Sequence, residues 1–401
     1  MRKILSAEKA AAALLLIGLA LAPLPAQKVP GILVPVNPDQ NAFINADALE
    51  AFYARLHDLA ETRKGQVAIL HIGDSHVEAG YLTGIVREGL QRKFGDAGRG
   101  LVRPSILGVY PKKWIRSIEI RQDVKAVRLW AGLKEDEGGT DFNALVVYHD
   151  RGLDYYNFEV LDAASRVLGK VTVRRPLEWP GAQGVQVSRV ELPQPYRSVV
   201  LRTAKDSRTT IQHYAQIYGI SLENGRSGVI YHSFGMIGAN CDSFAKSAFF
   251  QKQMENVQPD LVIVSLGTND GSTPYFRKEE FTAKFEALIQ KIRETCPHSA
   301  ILLTTAPDSY FPRLRRLAAK PNPNMAAERE AVVELAARHR CAVWDLYSIM
   351  GGDGSMNIWR ESALANFDNI HFTKEGYERQ GRMLLEALMK GYGTDAAPRS
   401  R

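Results

Sequence analysis

"VAILHIGDSHVEAG" (Val67–Gly80) decides how this chain folds. Its first seven residues form a short, almost unbroken apolar run, the pattern of a strand covered on both faces. "GDSH" follows, and "YLTGIVREGLQRKFG" (81–95) then reads as a helix. A buried strand turning into a helix is the repeating piece of a parallel α/β sheet. Ser75 stands at the strand's carboxyl end, where such sheets hold their ligands. Taken alone, the serine is as well explained as the cap of the helix that follows. The rest of the chain has to choose.

Upstream, Leu49, Phe52, Tyr53, Leu56 and Leu59 recur at helical spacing behind Asn45, a residue suited to cap that helix. Downstream, "DAGRGL" closes the first unit with glycine turns, and from about Pro111 the texture changes. "SIEI", "AVRLW", "ALVVYH", "YNFEVLD", "KVTVRR", "VQVSRVEL", "SVVLRT" and "TIQHYAQIYGISLE" are β-type runs separated by turn residues. Short alternating runs with no helix between them predict an antiparallel sandwich or jelly roll. From about residue 227, "GVIYHSFG", "DLVIVSLG", "AILLTTAP" and "CAVWDLY" again read as buried strands. Helices marked by Phe281, Phe285, Leu288, Ile289 and Ile292, by Val332, Leu335 and Ala336, and by Tyr377, Leu384, Leu385 and Leu388 alternate with or follow them. The reading is one α/β domain, 27–110 and 227–393, with a doubly wound parallel sheet interrupted by an all-β unit at 111–226. Residues 394–401 form a disordered tail.

The 401 residues are 45% hydrophobic and 24% charged, an ordinary globular balance at a length that suits roughly two to three domains. The chain opens with "MRKILSAEK", an apolar run from Ala10 to Ala22 and "PLPA". Early cations, a short apolar core and a small-residue end predict a secretory signal peptide over 1–26, with an uncleaved anchor as the alternative. The expected location is the periplasm. No later stretch is long and apolar enough to span a bilayer. Of the formal charge of +7, the first 26 residues hold +2, leaving +5 spread over the rest with one short cluster at Arg313, Arg315 and Arg316. Scattered basic residues do not predict nucleic-acid binding. Cys241, Cys296 and Cys341 lack metal-ligand spacing and read as buried small side chains, although an exported protein could pair two of them. No metal and no cofactor is expected.

Three later segments complement a nucleophilic serine. "SFGMIGANCDS" (233–243) offers Gly238 in a glycine loop, with Gly235 as a rival, and "VSLGTND" (264–270) offers Asn269 at a strand end. "NFDNIHFT" (366–373) offers Asp368 and His371. A serine hydroxyl needs a base, and imidazole has the right pKa; the imidazole needs a carboxylate to hold its tautomer. A tetrahedral oxyanion needs fixed donors, which the Ser75 and Gly238 N–H groups and the Asn269 amide can supply. His76, beside the serine, is a weaker candidate base, because adjacent side chains on a turn diverge. Asp74 and Asp270 read as braces for their turns. His71, His149, His213 and His232 fall in strand-like runs and read as packed or surface residues.

Gly73-Asp74-Ser75, Gly238, Gly267-Thr268-Asn269-Asp270 and Asp368-Asn369-Ile370-His371 resemble, in order, the four signature blocks of the SGNH (GDSL-type) hydrolases. The resemblance covers roughly 65–105 and 227–390. It implies a flavodoxin-like three-layer fold, Ser75 as nucleophile, His371 as base, Asp368 as its orienter, and Gly238 and Asn269 in the oxyanion hole with Ser75. Two departures narrow it. Histidine stands at 76 where leucine is usual, and 163 residues separate Ser75 from Gly238. Both resemble the O-acetylpeptidoglycan esterase branch, which carries a carbohydrate-binding-module-like β-domain there. The implied reaction removes O-acetyl groups from envelope glycan, with acetylated peptidoglycan as substrate and partner, through an acetyl-Ser75 intermediate. The alternatives are a carbohydrate O-acetyltransferase, a neutral-ester lipase or thioesterase on the same fold, and a glycan-binding envelope protein with a vestigial hydrolase fold. Trp114, Trp130 and Trp179 could stack on sugars or fill the core of the β-unit.

Overall fold

The computed structural model describes residues 38–102, 118–121, 126–130, 141–150, 155–173, 185–208, 214–311 and 320–395. The segment 1–26, Trp114, Trp179, His213, the arginines at 313–316 and residues 396–401 lie outside them.

The chain enters through β1 (Phe43–Ile44), α1 (Glu50–Thr62), β2 (Gln66–Gly73), the short α2 (Ser75–Glu78) and α3 (Tyr81–Phe94). Nine strands follow without a described helix between them: β3 (Gly98–Val102), β4 (Ile118–Arg121), β5 (Ala126–Trp130), β6 (Phe142–Asp150), β7 (Tyr156–Leu161), β8 (Val167–Val173), β9 (Val185–Tyr196), β10 (Ser198–Lys205) and β11 (Tyr214–Glu223). Alternation then resumes with β12 (Gly228–Gly235), α4 (Cys241–Ala245), α5 (Ala248–Val257), β13 (Leu261–Ser265), α6 (Lys278–Thr295), β14 (Ala300–Thr304), α7 (Asn324–His339) and β15 (Ala342–Trp344). The chain ends through α8 (Leu346–Ile349), α9 (Ser355–Glu361) and α10 (Lys374–Asp395).

The central sheet runs β1-β15-β14-β13-β2-β12. All its pairs are parallel except β1 with β15. Its strands are apolar on both faces because each face has a helical layer. Val67 and Ile69 of β2 and Leu261 and Ile263 of β13 join one core with α1, α3 and α10. Leu70, Ile72, Val262 and Val264 join the other with α6 and α7. Each such buried side chain contributes about 1.5–3 kcal/mol, so the strand ends that carry the loops are held from both sides.

β2 and β12 are adjacent and in parallel register from Gln66↔Gly228 to Gly73↔Gly235. The antiparallel unit leaves between them and returns. It forms one sheet in the order β5-β10-β7-β8 and a second in the order β3-β11-β6-β9, with β4 also on β11. Tyr156, Phe158, Val160 and Leu201 of the first sheet share a core with Leu145, Val147, Ile220 and Leu222 of the second, so the unit is a sandwich.

Three details differ from the sequence expectations. β3, in the glycine-rich "GRGLV", belongs to the antiparallel sheet, pairing Val102 with Ile220 and Leu101 with Ser221. Gly98 and Gly100 take positive φ there, and an added Cβ would meet the backbone of Leu222 and Tyr231 at 2.6 and 2.7 Å. Asn45 precedes a short 3-10 turn at left-handed φ and makes no side-chain cap; its amide instead donates to the Cys341 carbonyl at 3.3 Å. Asp395 is still helical. The three cysteines are buried and unpaired. Among the described residues, no helix is long and apolar enough to cross a membrane.

Candidate active site

Ser75 is the first residue of α2, directly after the buried β2. The turn is close-packed: a Cβ on Gly73 would lie 2.3 Å from Val77 and 2.7 Å from the Ser265 carbonyl. Asp74, itself buried, accepts the His76 N–H at 2.9 Å and caps α2. The first N–H groups of a helix have no partner inside it, so the Ser75 N–H is left aimed out of the helix start.

From the opposite end of the chain, His371 brings Nε2 to 2.9 Å from the Ser75 Oγ. Its Nδ1 lies 2.7 Å from Asp368 Oδ2, and Asp368 Oδ1 accepts the N–H groups of Ile370 and His371, both at 3.0 Å. Asn369 stands between them in the left-handed region at φ 56°, which asparagine tolerates better than most residues. The loop is closed by the Asn366 N–H on the His371 carbonyl at 2.8 Å. Burial alone would raise the Asp368 pKa, but the His371 ring and the two backbone donors outweigh it and hold the group down at about 2. The bond to Asp368 in turn raises His371 above the usual imidazole value, against the effect of burial. With the carboxylate accepting the hydrogen bond of Nδ1–H, Nε2 is left as the acceptor facing the serine hydroxyl.

The other strand ends close around this pair. Met236 donates its N–H to the Gly73 carbonyl, and Ala239 donates to the Met236 carbonyl, both at 3.0 Å. The second bond makes Met236–Ala239 a tight turn, with Gly238 at φ 73° in the position where a type II turn requires glycine. The Gly238 N–H lies outside the turn's own bond. Gly235 plays a different part. As the last residue of β12 it packs on α2, where a Cβ would meet the Glu78 nitrogen at 2.1 Å. Asn269, four residues past β13, donates its amide to the Ala239 carbonyl at 2.9 Å and makes a longer 3.4 Å contact to Asp74 Oδ2. Asn269 therefore ties the serine turn to the glycine turn.

Several contributors were hidden in the sequence. Thr268 also hydrogen-bonds Asp74. Tyr377, which helical spacing marks only as an apolar position of α10, places its hydroxyl 3.0 Å from His76 Nδ1. His76 is buried, its ring centroid lies 5.4 Å from that of His371, and burial lowers its pKa to about 3. It is thus a neutral neighbour of the His371 imidazole, bonded to Tyr377 and not to Ser75. Asp270 accepts the Cys241 N–H at 3.3 Å and braces its turn against α4. Glu328 of α7 is buried beside Gly267 and Gly271 with neither carboxylate oxygen hydrogen-bonded, and burial pushes its pKa well up. His71, His149 and His232 are buried; His71 bridges Tyr231 and Ser265 at 2.7 Å on each side.

The arrangement suits acyl transfer: a hydroxyl on a neutral imidazole, a carboxylate behind it, and N–H donors on separate turns. Residues 202–379 match the GDSL-like Lipase/Acylhydrolase family. The chain carries a GDSL-type hydrolase domain. The match begins after Ser75, and the geometry at His371 joins Ser75 to it. A solved peptidoglycan O-acetylesterase is 20% identical, with a TM-score of 0.67 over 88% of this chain and 99% of its own. That likeness is one of fold, and it takes in the GDSL-type domain and the β-unit together. The acetyl xylan esterase AlAXEase is 17% identical over 40% of this chain and 81% of its own, with a TM-score of 0.32. A family two carbohydrate esterase from Cellvibrio japonicus is 10% identical over 74% of this chain and 96% of its own, with a TM-score of 0.30. At those scores neither adds to the assignment. No curated protein sequence matches the chain.

Proposed function

We propose that the chain is a serine acetylesterase that removes O-acetyl groups from envelope carbohydrate, with O-acetylated peptidoglycan as the substrate and the periplasm as its place of action. The observation that carries the catalytic reading is the Ser75 Oγ–His371 Nε2 contact of 2.9 Å backed by Asp368. Ser75 Oγ attacks the acetyl carbonyl while its proton passes to His371 Nε2. The oxyanion is met by the N–H groups of Ser75 and Gly238 and by the Asn269 amide, which gives up its long contact to Asp74; one such donor is worth about 3 kcal/mol. The intermediate collapses, the sugar oxygen leaves with the proton from His371, and acetyl-Ser75 remains. Water, deprotonated by His371, then attacks this ester and releases acetate.

One feature favours a large alcohol: the His371 and Asp368 side chains are 38% and 45% exposed, so the dyad lies in a shallow, open site. The shared fold of the peptidoglycan O-acetylesterase, β-unit included, supports the choice of polymer. The test compares acetate release from O-acetylated peptidoglycan, from the same material after de-acetylation, and from acetylated xylan. Release from the first alone supports the reading, and preference for xylan contradicts it. Transfer of acetyl to an added glycan acceptor in excess of release to water moves the reading to a transferase. Because the base must be neutral and its pKa is raised, kcat/KM should climb through a midpoint above the ordinary histidine value of about 6.5.

A further inference from the structure

We infer that Ile237, Phe367 and Tyr275 form an apolar rim around the catalytic serine that holds the sugar rings flanking the acetylated unit, a specificity-determining role that rests on the glycan reading above. Five large apolar side chains are exposed among the described residues, and two of them, Val167 and Val187, belong to the β-unit. The other three all sit on the loops that carry the catalytic groups. Ile237 is 59% exposed and precedes Gly238; Phe367 is 63% exposed and precedes Asp368; Tyr275 is 86% exposed on the loop after β13 that carries Asn269.

These side chains are displayed on fixed turns. Ile237 occupies the corner of the Met236–Ala239 turn, which is anchored to the Gly73 carbonyl. Phe367 stands within the loop closed between Asn366 and His371. The loop bearing Tyr275 is pinned by the Asn322 amide on the Gly271 carbonyl at 3.0 Å and by the Asn324 amide on the Gly271 and Thr273 carbonyls at 2.9 Å. A ligand that covered these side chains would take apolar surface out of water, which is favourable.

The position of these groups selects the ligand. Ile237 adjoins in the chain the Gly238 N–H that would meet the ester carbonyl, and Phe367 stands four residues before the His371 that would meet its alcohol oxygen. A polymer that bears the ester would extend from the serine over the loops that display these side chains. The three side chains come from separate loops with polar catalytic groups between them, so they form separate apolar contacts. A pyranose chain has that character, since each ring offers a flat C–H face bordered by hydroxyls, and aromatic rings supply large rigid contact area. A lipid chain would need a continuous apolar cleft instead.

The test measures KM and kcat of the full chain on O-acetylated peptidoglycan and on 4-nitrophenyl acetate. Phe367→Ala and Tyr275→Ala should each raise KM for the polymer about five- to tenfold, with a smaller change on the nitrophenyl ester. Phe367→Tyr and Tyr275→Phe, which keep the ring, should restore most of the polymer KM. Equal losses on both substrates would mean that the loops have been disturbed, and an unchanged polymer KM would mean that the rim touches no sugar; either overturns the inference and leaves the esterase reading standing. Cleavage of the nitrophenyl ester with no acetate released from any glycan polymer by the wild-type chain overturns the glycan reading and this inference together.

Discussion

The parallel sheet and the antiparallel sandwich solve the same burial problem with opposite consequences for chemistry. In the parallel sheet both faces are covered, by α1, α3 and α10 on one side and α6 and α7 on the other. Strands buried in this way end at one common edge, and the loops leaving that edge bring Ser75, Gly238 and Asn269 together with Asp368 and His371 from near the end of the chain. The sandwich buries its inner faces, and its second sheet also packs Leu101, Val146 and Tyr148 of the opposite face against Phe234 of β12 and Val257 of α5. Elsewhere its surface carries charged pairs such as Arg202 with Glu159 at 2.8 Å and Arg197 with Asp141 at 2.9 Å, and pairs near the surface add little to stability. A sheet supported on both faces can hold groups in the geometry that acyl transfer needs, while a sandwich supplies surface.

The strongest way to break this comparison is Ser75→Ala. It should lower kcat on a small acetyl ester by at least about 10⁴-fold with the fold intact by circular dichroism; residual activity near wild type would remove the parallel sheet's claim to the chemistry. Phe158→Ala sharpens the comparison from the other side. Phe158 is fully buried in the sandwich core, 5.2 Å from the Tyr156 ring. Its removal should cost about 3–5 kcal/mol, read as a lower thermal transition, while the small-ester rate at 25 °C stays with the wild type. If that rate falls in step, the sandwich shapes the cleft through β3, where the Leu101 N–H meets His232 at 3.0 Å.

Glu328→Gln has the smallest expected effect. The folded-state pKa of Glu328 is raised by burial, so the fold favours its protonated form. That contribution is fully present below the unfolded pKa of about 4.3 and is lost as pH rises through the folded value. The amide has no such loss. The variant should therefore gain on the wild type in thermal stability as pH is raised from 4 to 8, by a few degrees, about 2–4 °C for each kcal/mol. A pH-independent difference would contradict the assignment of Glu328 as a buried, unpaired acid.

Much of this was legible in the sequence because the chemistry tolerates few substitutes. Ser75, Asn269, Asp368 and His371 each stand at the end of an apolar run or before a helix, with spacing that no packing requirement explains. The eight alternating runs between 117 and 223 correspond to strands β4 to β11. What was hidden depends on contacts between distant parts of the chain. β3 looked like a turn because its glycines are demanded by strands more than a hundred residues away. Asn45 had the side chain of a helix cap, but the Cys341 carbonyl claimed it. Tyr377 read as apolar, and only the folded chain shows its hydroxyl on His76. The rim formed by Ile237, Phe367 and Tyr275 carried no sequence signal, since exposure is a property of the loops.

The central claim is that Ser75 is activated as a nucleophile by His371 and Asp368. Treatment of the protein with a sulfonyl fluoride or an organophosphate, followed by peptide mass mapping, tests it most directly. A single adduct is expected on the peptide containing Ser75, and no adduct there once His371 is replaced by alanine. Labelling at another serine, or undiminished labelling of Ser75 without His371, would contradict it.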